Sequence, residues 1–413
     1  MFPNSDNDAV LLGRDPATGQ PISLGPEGHV LTVAPTGGGK GVSALIPALL
    51  THPGQAIVLD CKGEAVAVTR RYREEVLGQD VVVLDPFGIG DGAGGALNPF
   101  DMLPANAIGA GGELRAFSNL LAPVQDASGD PYWSLAGRQL ICGLLAHYLD
   151  TTPAPARNLA GFLELGSRMV VEPKLLGVQM AQSSIAEARS QGQVVLSSAS
   201  GQDTARDVVS HADTLLSALR GRVTAQATAR TSFDLDALRD GRPMTIYIVI
   251  PPNRLPSSAR LLRLWLGTLS ALLLGRRARP ACPTLLLIDE AAQLGHLDLF
   301  VTAMTLYRGY GVQCWSFWQD LDQLHATYPH EWRTILNNAA AVQAFAPSCP
   351  SMAEEFRLLM PRLTTPELMA LRSDELVLAR AGRAGQIVRR INYLQESVLE
   401  QRADPNPWYA NAG

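Results

Sequence analysis

The sequence predicts an α/β protein with a mostly parallel central sheet and an inserted all-α domain. Three observations carry this. Short apolar runs alternate with helical patterns, and each run ends in polar residues. One run leads through a glycine-dense turn straight into a helix. Between about Gly112 and Arg230 the strand signal vanishes, and only helical spacing remains. The chain of 413 residues is long enough for such a composite. Its 46% hydrophobic content against 18% charged residues supports a sizeable core and excludes a disordered chain.

Residues 1–28 are rich in Pro, Gly, Asp and Asn and read as an arm or short hairpin. The core is assigned to 29–105 and 235–395, the helical insert to 106–234, and a tail to 396–413. His29 to Val33 is a buried strand, followed by the turn Ala34 to Gly39 and then Lys40. Val42, Leu45, Ile46 and Leu49 follow at helical spacing. Strand, glycine turn, lysine and helix make a phosphate-binding loop. Pro35, Thr36, Gly37, Gly38, Gly39, Lys40, Gly41 and Val42 are its candidate nucleotide contacts. Glycines let successive N–H groups face one anion, the helix N-terminus adds partial positive charge, and Lys40 reaches the β- and γ-phosphates. The usual pattern G-x-x-x-x-G-K-[ST] is broken twice. Ala34 holds the first glycine position, and Gly41 replaces the hydroxyl that ligates Mg²⁺. Thr36, Ser43 or water are the possible substitutes.

Ala56 to Asp60 and Val81 to Asp85 are further buried strands, the first ending in Asp60-Cys61-Lys62-Gly63-Glu64 and a helix through Arg73. In the insert, Val208, Ala212, Leu215, Leu216 and Leu219 form one helical stripe and Leu140, Leu144 and Tyr148 another. Such stripes are core. Met244 to Ile250 resumes the sheet, and a helix runs from Ser257 to about Arg277. Arg276-Arg277-Ala278-Arg279 reads as its solvated end, with a DNA contact as the lesser alternative. Thr284 to Glu290 holds an unbroken apolar run, the mark of a strand buried on both faces. Gly311 to Phe317 and Ala340 to Phe345 are the next strands, and Glu375 to Ala379 with Gln386 to Ile391 form a hairpin at the sheet edge.

Open parallel sheets bind ligands at the carboxyl ends of their strands, which is where Asp289 and Glu290 fall. An Asp there holds Mg²⁺, usually through water, so Asp289 is the candidate metal residue. Glu290 is placed to polarise the water that attacks the γ-phosphate. An N-cap role explains the Asp but not the apolar run before it. Gln319, closing the neighbouring strand, reads as a γ-phosphate sensor or as a helix cap. Arg308 reads as a surface ion-pair partner or as an arginine finger for the next subunit of a ring.

The net charge of −5 carries no global nucleic-acid signature, so DNA contacts need local basic patches or a pore. Arg220, Arg222 and Arg230 are candidates. The five cysteines are odd in number and form no C-x-x-C pair, which points to reduced thiols and away from zinc. The N-terminus is polar, without a signal peptide. The most apolar stretch, Leu261 to Leu274, contains Arg263 and falls short of the ~20 residues that a spanning helix needs.

With these pieces in place, the chain resembles the type IV secretion coupling proteins of the TraG/TraD type, the ring ATPases of bacterial conjugation. The resemblance runs from about Leu11 to Tyr393. It rests on LLGRDPATG (Leu11 to Gly19), HVLTVAPTGGGKGVSALIPALL, VLDCKGE (Val58 to Glu64), DPYW (Asp130 to Trp133), TIYIVIPP (Thr245 to Pro252), LLLIDEAAQLG (Leu285 to Gly295) and RGYGVQCWSFWQDLDQL (Arg308 to Leu324). It implies a RecA-like P-loop NTPase core with the inserted all-α domain, ATP and Mg²⁺ as cofactors, and a homo-hexamer. By the same resemblance Lys40, Asp289, Glu290 and Gln319 are catalytic, and Arg308 holds the place of an interface arginine. The implied partners are single-stranded or relaxase-bound DNA, relaxase or effector proteins, and type IV secretion channel components. The implied location is cytoplasmic, docked at the cytoplasmic face of the inner membrane. Members usually begin with transmembrane helices, whereas almost nothing precedes LLGRDPATG here; a chain without its own anchor is the expectation. The alternative to an ATP-hydrolysing coupling protein is a nucleotide-binding substrate-receptor platform with little ATPase activity. A chromosome-segregation pump fits less well because of DPYW and the insert, and a small-molecule kinase lacks an acceptor site.

Overall fold

The computed structural model describes residues 9–90, 94–103, 111–122 and 131–409. By its internal contacts the chain divides into two units. One comprises Met1–Gly94, Asp234–Pro256 and Ser270–Gly413, and the other Gly95–Phe233 with Ser257–Leu269.

The first unit is built on an eleven-stranded sheet. In chain order its strands are β1 (Val10–Arg14), β2 (Pro21–Leu24), β3 (His29–Val33), β4 (Ala56–Asp60), β5 (Asp80–Leu84), β6 (Met244–Val249), β7 (Thr284–Ile288), β8 (Val312–Trp318), β9 (Ala339–Phe345), β10 (Glu375–Arg380) and β11 (Gln386–Arg389). Across the sheet the order is β2-β1-β11-β10-β9-β3-β8-β7-β4-β6-β5. The strands from β9 to β5 are mutually parallel, and the other four join antiparallel. Every residue of β3, β4, β6, β7 and β8 is buried, the polar His29, Thr32, Thr245, Gln313 and Ser316 included. The antiparallel β10–β11 hairpin is present but is not the edge of the sheet. Strand β1 adds to β11, pairing Arg14 with Arg389, and β2 closes that side. The N-terminal segment is therefore a hairpin integral to the sheet.

Two buried arginines tie this unit together. Arg73 donates to the carbonyls of Leu49, His52 and Gly54, to Gln79 Oε1 and to Thr245 Oγ1. These carbonyls close the end of the helix Ile46–Thr51, so Arg73 supplies donors and positive charge where a helix terminus lacks both. Arg276 corrects the solvated reading of its tract. It is 8% exposed. It donates to the carbonyls of Arg239, Tyr310 and Leu238, and to Gln55 Oε1 and Thr284 Oγ1. Its helix runs Leu255–Leu274, slightly earlier than the pattern suggested. No helix among the described residues is long and apolar enough to cross a membrane.

Two buried histidines make this unit acid-sensitive. Burial pushes His52 down to about 3, with the Arg73 charge adding to it. Burial also pushes His29 down to about 4, with Arg308 adding. Both are neutral in the fold and ordinary in the unfolded chain. The stability linked to them is therefore complete above about pH 6.5 and drains as pH falls toward 4 and 3. By pH 5 each histidine costs about 2 kcal/mol. His29 Nδ1 accepts from the Cys314 N–H at 3.0 Å, a bond that an Asn oxygen can replace. His29→Asn is expected to flatten the fall in urea-unfolding stability between pH 7 and pH 5 by about that amount. An unchanged slope would show that His29 is not buried neutral.

The second unit is helical: Gly111–Leu121, Pro131–Thr151, Leu159–Val171, Pro173–Ala181, Ala186–Ala199, Asp203–Ser217 and Arg222–Ala227. Phe100 sits at its aromatic centre, with the rings of Phe117, Tyr148 and Phe162 at 5.0, 5.5 and 5.8 Å. Leu140, Leu144, Val208, Ala212, Leu216 and Leu219 are buried in the same core. Leu215 lies at its margin. Asp130 of the DPYW stretch falls outside the described residues. Arg220, Arg222 and Arg230 are exposed, and Arg220 pairs with Asp213 at 2.5 Å.

Candidate functional site

The site forms where β3, β8, β7 and β4 end together. After Val33 the chain leaves the sheet, and the Ala34 N–H is still held by the Trp318 carbonyl at 2.9 Å. The turn closes through Gly38 N–H to the Pro35 carbonyl at 2.8 Å. Gly37 and Gly39 have φ of +76° and +82°, which a side chain would strain. A Cβ on Gly38 would stand 2.8 Å from the Pro35 oxygen. Helix then begins at once, wound as a π turn over Gly41–Leu45 before the α-helix Ile46–Thr51.

Lys40 reaches back across the mouth of the loop. Its Nζ lies 2.5 Å from Glu290 Oε1 and 3.4 Å from Asp289 Oδ1. Gln319 Nε2 donates to the other Glu290 oxygen at 3.2 Å. The loop lysine, the acidic pair and the glutamine thus meet in one hydrogen-bonded group. Glu290 has φ +48°, the one non-glycine residue with positive φ among the described residues. That conformation is costly, and such strain gathers at functional sites. Asp289 is half-buried, and desolvation holds its carboxyl above the usual range against the pull of Lys40.

Neither acidic residue caps the turn that follows them, Ala291–Leu294. Gln319 is not a cap either. Asp320 caps the helix Leu321–Thr327, accepting from Gln323 N–H at 2.6 Å. Ser43, one of the stand-ins for the missing hydroxyl, gives its oxygen to Arg390, whose Nη2 lies 2.8 Å away. Thr36 is exposed on the loop.

Arg308 is not part of this group. It lies in the turn before β8, at the opposite end of the strands, 60% exposed and paired with Glu27 at 3.1 Å. Glu27 also takes Arg279, at 3.2 Å.

The pocket of about 100 Å³ is lined by Thr36 to Val42, Asp289 and Glu290, and also by Asp60, Lys62, Glu64 and Tyr409. Asp60 accepts from the Lys62 and Val66 N–H groups, yet burial still lifts it to about 6. Asp60, Lys62, Glu64 and Tyr409 were not among the candidate site residues. For the first three the signal was available: DCKGE follows an apolar strand just as Asp289-Glu290 does. Tyr409 carries no such signal.

The family model for type IV secretory system conjugative DNA transfer matches residues 7–368. The chain belongs to this family. Among relatives in the family, conjugal transfer protein TraG of Escherichia coli is 26% identical over 400 residues, covering 91% of this chain and 61% of TraG. Protein VirD4 of Rhizobium radiobacter is 28% identical over 336 residues, covering 79% of this chain and 47% of VirD4. The chain therefore spans about half to three-fifths of the length of these relatives. The fold is that of the plasmid coupling protein TrwB. The unbound form of TrwBdeltaN70 superposes with a TM-score of 0.70 at 17% identity, covering 94% of this chain and 89% of that one. A TrwB form in complex with ADP and Mg²⁺ gives 0.68 at 17% identity, covering 92% and 90%. The expected RecA-like α/β fold is thus present.

Proposed function

We propose that this chain is the nucleotide-driven motor part of a coupling protein, hydrolysing ATP to move DNA or nucleoprotein substrates into a type IV secretion channel. The observation that carries it is the Lys40–Glu290–Gln319 group at the mouth of a glycine loop. A lysine held 2.5 Å from a carboxylate is a charge waiting for a better anion. Incoming phosphates compete for Lys40 and leave Glu290 Oε1 free to accept a proton from water. Gln319, bonded to Oε2, keeps the carboxylate aimed as Lys40 departs. Asp289 and Glu290 present carboxylate oxygens, donors suited to Mg²⁺, although no group of three metal-ligating residues is preassembled among the described residues. Mg²⁺, when bound with nucleotide, supplies charge neutralisation on the phosphates. TrwB, of like fold, is known in complex with ADP and Mg²⁺, which supports the same pair of ligands here.

Arg308, remote from its own pocket and exposed, suits contact with a neighbouring copy in a ring. Relaxase or effector proteins and channel components are the proposed partners, with docking at the cytoplasmic face of the membrane. The test is steady-state ATPase activity with and without single-stranded DNA, alongside mass by light scattering. DNA-stimulated turnover in hexamers is expected. Nucleotide binding with no turnover under any condition would make the chain a receptor platform instead.

A further inference from the structure

Gly41 follows the loop lysine where a metal-ligating hydroxyl normally stands. The structure shows what occupies that neighbourhood. A Cβ on Gly41 would meet Glu64 Oε2 at 3.6 Å and the rest of the same carboxylate at 3.8 Å, and nothing closer. Glu64 opens the helix Glu64–Arg71, reached from β4 through Asp60-Cys61-Lys62-Gly63, and it lines the pocket. Its two oxygens are not equivalent. Oε1 accepts from Asn406 Nδ2 at 2.8 Å. Oε2, on the Gly41 side, takes no hydrogen bond among the described residues.

Asn406 is itself buried and fixed. Its Nδ2 also donates to Tyr393 Oη at 2.9 Å, and its Oδ1 accepts from the Trp408 N–H at 3.0 Å. A carboxylate held through one oxygen by a buried amide, with the other oxygen left open, is how a metal-binding carboxylate is oriented by its neighbours. A helix-dipole role accounts for a Glu in the first turn but not for this clamp.

Charge points the same way. Four carboxylates (Asp60, Glu64, Asp289 and Glu290) and two ammonium groups (Lys40 and Lys62) line one small pocket. An anionic phosphate chain enters such a pocket only with a cation beside it. The donors on offer are oxygens, which select a hard divalent ion.

We propose that Glu64 supplies the carboxylate ligand for the divalent cation of the bound nucleotide, in place of the hydroxyl that Gly41 lacks, and that Asn406 is its positioning residue. This rests on the nucleotide-binding reading above. In this arrangement the Glu64 carboxylate takes over the role of the missing hydroxyl, so a glycine after the loop lysine costs the site no ligand.

The test is binding of a fluorescent ADP analogue to wild type and variants, with Mg²⁺ and with EDTA, and Mn²⁺ electron paramagnetic resonance on the same samples. In wild type, Mg²⁺ is expected to tighten binding. Glu64→Gln is expected to lose about tenfold or more of that gain while its affinity in EDTA holds. The Mn²⁺ signal of the bound complex should weaken in parallel. Asn406→Ala should lose part of the gain. Glu64→Gln combined with Gly41→Ser is expected to recover it, because a Cβ at Gly41 finds ordinary contact distances. That recovery also shows that the single variant's loss is not misfolding. An equal Mg²⁺ gain in wild type and Glu64→Gln overturns the assignment and leaves the nucleotide site standing. If wild type binds no analogue with or without Mg²⁺, the nucleotide reading falls and takes this assignment with it.

Discussion

Glu290→Gln is expected to lower ATP turnover by about 10²–10³-fold while leaving nucleotide binding intact or tighter. The substitution keeps the shape of the side chain and both of its neighbours. It removes the negative charge that holds Lys40 at 2.5 Å and the basicity that accepts a proton. Removing the charge frees Lys40 for the phosphates, so affinity does not fall. Removing the base slows chemistry, so kcat falls without a rise in KM. Lys40→Ala separates the two effects, since it deletes the phosphate contact and should weaken binding itself. The measurement is kcat and KM from steady-state turnover, together with direct titration of a non-hydrolysable ATP analogue. Turnover within about threefold of wild type in Glu290→Gln would remove Glu290 from the chemistry. A loss of binding that matched the loss of turnover would recast it as a structural partner of Lys40.

The second large effect is on stability. Arg73→Met is expected to destabilise the first unit by about 3–5 kcal/mol, read as a lower urea midpoint at pH 7. Arg73 is fully buried, and its guanidinium serves five acceptors, none of them a carboxylate among the described residues. Methionine fills much of the volume but donates nothing. Gly54 O keeps a bond from Gln79 Nε2 at 3.1 Å, whereas Leu49 O loses its side-chain donor at the end of the loop helix. Unsatisfied buried carbonyls account for most of the cost. A midpoint equal to wild type would mean that water replaces the guanidinium without penalty.

The parallel core was legible because burial on both faces writes itself as an unbroken apolar run. Ala56–Asp60 and Thr284–Ile288 could be read directly, while Asp80–Leu84 was displaced by one residue because Asp80 is exposed and polar. Strand pairing was less legible. Nothing in Glu375–Arg380 or Gln386–Arg389 says that Val10–Arg14 lies beyond them, because edge and interior antiparallel strands alternate alike.

The meeting of Lys40 with Glu290 and Gln319 followed from placing each at the end of a parallel strand. Glu64 did not, because its partner Asn406 comes from the far end of the chain and its importance depends on a gap at Gly41. Arg276 failed for a related reason. A run of arginines looks solvated unless one knows which carbonyls wait beside it.

The order in which this sheet is synthesised runs against the order in which it can close. Strand β3, which carries the glycine loop, leaves the ribosome well before both of its neighbours, β8 and β9. Strand β1 waits longer still, for β11. Until then a strand that is wholly buried in the fold stands with two open edges, and non-local pairing of this kind is slow and exposed to aggregation. A chain truncated before Gln386 would strand the N-terminal hairpin without its partner. The glycine loop meets Glu290 and Gln319 only after some 250 further residues have been added to the chain.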